Sequence, residues 1–212
     1  MIQDKFRQSH LYVITDRALS KGRLITEVIA KAIAGGAGII QLRDKESTTQ
    51  KFVQDGFALR ELTRKKNVIF IINDRVDVAL AVDADGVHLG QDDFPVRLAR
   101  KIIGEDKIIG VSVGSVEEAI QAIKDGADYV SVGSIFPTRT KPDAGDAVGT
   151  QLITEIKKAV DVPAVAIGGI TADNIAQVAK AGADCVAVIS AVIGADDVEA
   201  AARCLIRKFL NA

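Results

Sequence analysis

The chain contains no tryptophan, two cysteines, one methionine and four prolines among 212 residues. Aromatic residues make up only 4 %, so a hydrophobic content of 48 % has to come from Ala, Val, Ile and Leu, enough for a large aliphatic interior and too much for intrinsic disorder. With only Cys185 and Cys204, a multi-bridge framework is excluded and a reducing compartment is expected, although a single bridge stays open. Neither sign of charge is in excess: 27 basic against 28 acidic residues removes the cationic footprint of a nucleic-acid or acidic-membrane binder. No apolar run approaches the ~18 residues that cross a bilayer. Met1 to His10 lack the basic start and apolar run of a signal peptide. These absences predict one soluble, cytoplasmic domain over residues 1–212.

Short β-branched runs recur, each followed by helical spacing and then a glycine-containing turn, the pattern of βα units with parallel strands. The runs are Leu11 to Thr15, Gly38 to Arg43, Val68 to Asn73, Gly86 to Gly90, Ile108 to Val113, Tyr129 to Ile135, Ala164 to Ile170 and Cys185 to Ser190. Ser47-Thr48-Thr49-Gln50 and Ser115-Val116-Glu117-Glu118 spell capping boxes. From about Asp197 a last helix carries Val198, Ala201, Ala202, Leu205 and Phe209 on one face. A weak repeat, Gly36-Ala37-Gly38, Ala84-Asp85-Gly86, Gly126-Ala127-Asp128 and Gly182-Ala183-Asp184, stands at helix-to-strand junctions. Eight such units predict an α/β (β/α)8 TIM barrel. An open doubly wound sheet is the alternative, but no G-x-G-x-x-G follows the first strand.

In such a barrel function collects at the C-terminal strand ends. After strand 2, Gln41, Arg43 and Lys45 alternate and would share a face, a cradle for a polar or anionic ligand; a solvated salt-bridge turn is the plainer reading. Asn73-Asp74 and Asp92-Asp93 end adjacent strands ~4.8 Å apart, so Asp74 with Asp93, less readily Asp92, could hold one Mg²⁺. Capping of the following helices is an equal alternative. Ser112 ends strand 5. Thr138, Thr140 and Lys141 open a long connection from Pro137 to Gly149, and loops of that length are usually functional. Gly168-Gly169 after strand 7 and Ile189-Ser190 after strand 8 suit close backbone approach to a phosphate. His88, far from any second histidine or cysteine, reads as a hydrogen-bonded structural residue, and His10 as a surface one.

Six motifs in order, among them Gln41-Leu42-Arg43-Asp44-Lys45, Asn73-Asp74-Arg75, Val87-His88-Leu89-Gly90-Gln91 and Thr138-Arg139-Thr140-Lys141, resemble the thiamine phosphate synthase family over nearly the whole chain. The resemblance implies joining of 4-amino-5-hydroxymethyl-2-methylpyrimidine diphosphate to 4-methyl-5-(2-phosphooxyethyl)thiazole with release of diphosphate. It implies that Gln41 binds the pyrimidine, that Arg43, Lys45, Asn73, Ser112 and Lys141 hold the diphosphate, and that Asp74 and Asp93 ligate Mg²⁺. Thr138, Thr140, Gly169, Ile189 and Ser190 would surround the thiazole phosphate. The implied partners are these small molecules, with a homo-oligomer left open. Two positions depart from the family pattern: Gly114 stands where many relatives have histidine, and Asp92 where glutamate is common. A sister thiazole tautomerase and a silent binding barrel are the competing readings; Lys141 and Gly114 speak against the first, the paired aspartates against the second.

Overall fold

A computed structural model describes residues 2–138, 140 and 145–212. The first half runs α1 (Ile2–Arg7), β1 (Leu11–Ile14), α2 (Ile25–Ala34), β2 (Ile39–Leu42), α3 (Thr49–Lys65), β3 (Ile69–Asn73), α4 (Val76–Ala81), β4 (Gly86–Leu89) and α5 (Val96–Ile103). The second half runs β5 (Ile108–Val113), α6 (Val116–Lys124), β6 (Tyr129–Val132), α7 (Gln151–Ala159), β7 (Ala164–Ile167), α8 (Ile175–Lys180), β8 (Cys185–Val188), α9 (Ser190–Ile193) and α10 (Val198–Leu210). The eight strands are all parallel and close in sequence order, β8 pairing β1, so the barrel prevails over the open sheet. No helix among the described residues is long and apolar enough to cross a membrane.

Period-two alternation divides the core in two. One set of side chains faces the helices, for example Leu11, Val13, Ile40, Leu42, Phe70 and Ile72. The other, Tyr12, Ile14, Ile39, Ile69, Ile71, Ile108, Tyr129 and Val165, fills the lumen together with Phe6 of α1. Gly110 makes that filling work: a Cβ there would lie 1.9 Å from Cζ of Tyr129, whose ring occupies the space instead. Phe6 stacks on the same ring from below at 4.4 Å, which explains the helix that the polar first residues do not advertise.

Three of the four junction motifs share a structural meaning, Gly36-Ala37-Gly38 having no aspartate. Asp85, Asp128 and Asp184 each accept from a backbone N–H in the preceding strand, of Phe70, Ile109 and Ala164 respectively, at 2.7–2.8 Å. Each also pairs with a cation on the helix before that strand: Arg60, Arg100 and Lys157. These clamps lie at the N-terminal end, opposite the mouth. Ser115 caps α6 as expected, with Glu118 accepting from Gly114 N–H, and Asp197, where the last helix was expected to begin, caps α10. Three expectations are corrected. Thr48, not Ser47, caps α3, because the Ser47 hydroxyl is engaged by Asp44. The strands after which the mouth opens are shorter than the β-branched runs, β6 ending at Val132, β7 at Ile167 and β8 at Val188. His10 is half-buried, with Nδ1 3.3 Å from the Asp184 carbonyl and its ring beside Phe209. Both cysteines are free thiols.

Candidate active site

A cavity continuous with solvent opens at the C-terminal mouth, lined by residues from the strand ends and the loops that follow them. Gln41, Arg43, Asn73 and Ser112 line one side of it; Thr138, Thr140, Gly169, Ile189 and Ser190 line it as well. Lys45 lies beyond the end of β2, where the alternation no longer operates, and is half exposed; its Nζ sits 3.7 Å from Asp74 Oδ2. Lys141 falls outside the described residues.

The aspartates resolve one of the alternatives. Arg75 and Pro95 occupy the N-cap positions of α4 and α5, and neither helix has a side-chain cap bond, so Asp74 and Asp93 do not cap the helices that follow them. Asp74 adopts a left-handed backbone, φ +62°, with its N–H donating to the His88 carbonyl at 2.8 Å. That conformation is strained for a non-glycine residue and is found at functional sites more than elsewhere. The Gly90 N–H donates to Asp93 Oδ2 at 2.7 Å, and that carboxylate occupies the space where a Cβ on Gly90 would stand. Burial and the neighbouring Asp93 carboxyl push the Asp74 carboxyl up to about 6, against the pull of Lys45 and Arg43. Asp92 is exposed and takes no part in this contact. Two carboxylates pressed together in this way form a donor set that a hard divalent cation would relieve, with substrate oxygens completing its shell.

On the other side, Gly168 and Gly169 both have positive φ, +100° and +62°. A Cβ on Gly168 would strike Ser134 at 2.6 Å, and one on Gly169 would lie 2.6 Å from the Pro137 carbonyl oxygen. The bare backbone of this turn therefore lies directly against the loop that bears Thr138 and Thr140. Asn174 fixes the turn from behind, its Nδ2 donating to the Gly169 carbonyl at 2.9 Å.

The model of the family described as thiamine monophosphate synthase matches residues 11–192. The chain belongs to that family. The thiamine-phosphate synthase of Chloroflexus aurantiacus is 55 % identical over 91 % of this chain and 89 % of its own. That of Moorella thermoacetica is also 55 % identical, over 92 % and 93 %. The structure of a thiamine phosphate pyrophosphorylase from Pyrococcus furiosus superposes with a TM-score of 0.90 at 45 % identity, covering 100 % of this chain and 98 % of that one. Within the thiamine monophosphate synthase frame, several lining residues were not anticipated from sequence. Ser131 and Ser134 line the cavity and are buried, yet nothing in their local sequence sets them apart from strand and turn serines. His88 also lines it, hydrogen-bonded on both ring nitrogens, the structural role expected of it. Gly114 has open space around it, with only the Glu118 carboxylate 3.7 Å from the place of a Cβ.

Proposed function

We propose that the protein is a thiamine-phosphate synthase, a cytoplasmic transferase that joins the pyrimidine diphosphate to the thiazole phosphate. In the reaction the methylene C–O bond breaks, its electron pair leaves with diphosphate, and the thiazole nitrogen lone pair forms the new C–N bond. The observation that carries this reading is a single mouth lined on one side by Arg43, Asn73 and Ser112 and on the other by the Gly168–Gly169 turn with Ser190, beside the opposed carboxylates of Asp74 and Asp93. Candidate anion-binding groups on two walls of one mouth would suit two phosphorylated substrates.

Gln41 would orient the aminopyrimidine. Arg43, Lys45, Asn73 and Ser112, with Lys141, would hold the diphosphate and stabilise the charge that grows on it as it departs. Asp74 and Asp93 would hold Mg²⁺, which when bound neutralises part of that same charge. Thr138, Thr140, Gly169, Ile189 and Ser190 would fix the thiazole phosphate with its nitrogen facing the methylene carbon, so that capture of the cation needs no further diffusion. The apolar wall of Ile14, Ile167 and Ala187 would limit water around that carbon.

The test is diphosphate release with each substrate alone and with both, in the presence of Mg²⁺. Release that needs both substrates supports the synthase; isomerisation of the thiazole phosphate with no pyrimidine substrate would replace it with the tautomerase.

A further inference from the structure

A line of hydrogen bonds crosses the lumen just beneath the mouth. Gln41 Nε2 lies 2.6 Å from Tyr12 Oη, Tyr12 Oη 3.0 Å from Tyr129 Oη, and Tyr129 Oη 2.9 Å from His88 Nδ1. His88 Nε2 in turn lies 2.9 Å from Ser112 Oγ. The line runs from β2 through β1, β6 and β4 to β5, and both of its ends, Gln41 and Ser112, line the cavity. Its two phenols are almost fully buried, and that burial pushes both well above the ordinary range for tyrosine, so each keeps its single proton.

A hydroxyl with one proton between two partners donates to one and accepts from the other, so the donor sense of one bond dictates that of the next. If Gln41 Nε2 donates to Tyr12, then Tyr12 donates to Tyr129, Tyr129 to His88 Nδ1, and His88 Nε2–H to Ser112 Oγ. The Gln41 carbonyl oxygen is then the amide's acceptor for a ligand, and the Ser112 proton is available to an anion. In the opposite sense Ser112 spends its proton on His88, and Gln41 offers N–H in place of its oxygen.

We propose that Tyr12, Tyr129 and His88 are positioning residues forming a polarity relay. An anion that takes the Ser112 proton fixes the sense in which Gln41 accepts from a ring-borne amino group. The site thereby selects one ligand with an N–H donor at one end and an anion at the other. Identifying that ligand as the aminopyrimidine diphosphate rests on the synthase reading; the relay itself does not. The cost of the arrangement is visible at Gly110, which gives up a side chain so that the Tyr129 ring can reach the axis.

The relay is tested on the full chain labelled with ¹⁵N-histidine, which has only His10 and His88 to assign. Inorganic diphosphate is the probe. The expected spectrum with diphosphate bound shows His88 protonated on Nε2 alone; protonation on Nδ1, or an imidazolium, overturns the relay without any variant being made. Tyr129→Phe should shift His88 toward the Nδ1 proton. Tyr12→Phe should leave the His88 tautomer as it is, because Tyr129 still donates to it. Both variants should raise KM for the pyrimidine diphosphate about 10-fold with kcat changed less than about 3-fold, as expected when ground state and transition state lose the same contact. Equal spectra for wild type and Tyr129→Phe would overturn the proposal. The tautomer is read without turnover: an Nε2-protonated His88 in a protein that releases no diphosphate keeps the relay and ends the synthase reading, and turnover with an Nδ1-protonated His88 does the reverse.

Discussion

Arg17 donates from Nε to Asp44 Oδ2 at 2.8 Å, across 27 residues of sequence, while its Nη2 donates to Asp55 on α3 at 2.8 Å. One guanidinium thus ties the loop after β1 to the loop after β2, the loop that bears Arg43 at the mouth and Lys45 beside Asp74. Arg17→Met keeps the aliphatic stem and removes the tie. The two carboxylates are nearly buried but the guanidinium is partly exposed and screened by solvent, so a loosening of the loop worth about 1 kcal/mol should raise KM for the pyrimidine diphosphate ~5-fold with KM for the thiazole phosphate unchanged. Steady-state kinetics with each substrate varied in turn checks this; equal rises in both would mean that the change is not confined to the β2 side.

Asp44 also gives that loop a pH signature. Burial alone would raise its carboxyl, but the Ser47 hydroxyl, Arg17 and the backbone N–H groups of Glu46 and Ser47 outweigh burial and bring it to about 2. An unfolded aspartate titrates near ~3.9, so between these values the unfolded chain binds more protons than the folded one. The stabilisation is therefore complete above about pH 4 and is lost as pH falls through about 2. Urea melts of wild type and Asp44→Asn from pH 5 to pH 2.5 should converge as the pH drops. A gap that stays constant would remove Asp44 from this role.

Gly169 is where the thiazole side is most exposed to a single substitution. Its φ of +62° and the 2.6 Å from a built Cβ to the Pro137 carbonyl mean that Gly169→Ala must displace the loop bearing Thr138 and Thr140. KM for the thiazole phosphate should rise at least ~10-fold, equivalent to roughly 1.4 kcal/mol, with a lowered melting temperature and little change in diphosphate affinity. Calorimetric titration with inorganic diphosphate and with the thiazole phosphate separates the two sides. A comparable loss for both ligands would show that the mouth is not divided as proposed.

Strand existence and order were legible because the strands are buried apolar runs, most of them followed within two residues by glycine or aspartate, a local signal. Strand ends were not, since Ile135, Ile170 and Ile189 continue the apolar run into the mouth after ladder pairing has stopped. The cavity residues at strand ends could be named from topology alone. Ser131 and Ser134 could not, nor could the partnership of Tyr12 with Tyr129, 117 residues apart, because what joins them is barrel closure. The first helix escaped notice for a related reason: its one decisive contact, Phe6 on Tyr129, is made across the lumen.

The clamps at the opposite end separate stability from activity. Asp128 accepts from Ile109 N–H at 2.7 Å and pairs with Arg100, whose side chain is only 12 % exposed. Asp128→Ala leaves a strand amide and a nearly buried guanidinium each short of a partner, a loss on the order of 3 kcal/mol. Denaturant melts should show that loss, with both KM values and kcat unchanged in the folded fraction. Altered kinetics at temperatures where the variant is fully folded would contradict the division of labour between the two ends of the barrel.

The opposed carboxylates give the sharpest test of the mouth. If Asp74 and Asp93 serve one cation, either Asp74→Asn or Asp93→Asn weakens the same ion, and the double variant has little left to lose. Single-turnover rates should fall at least ~10-fold in each single variant, and the double should fall no more than about 3-fold further, the non-additivity expected of residues that share a function. Raising Mg²⁺ should recover part of the rate in each single variant, because a weaker site can be filled by mass action. The fold should survive, since both residues lie outside the two hydrophobic clusters and neither caps a helix. Removing one carboxylate also relieves the repulsion that holds Asp74 up, so thermal melts without Mg²⁺ should show neutral or slightly raised stability for either variant. Multiplicative effects of the two substitutions, no recovery at high Mg²⁺, or full wild-type turnover in excess chelator would each show that the pair does not hold an ion used in the reaction.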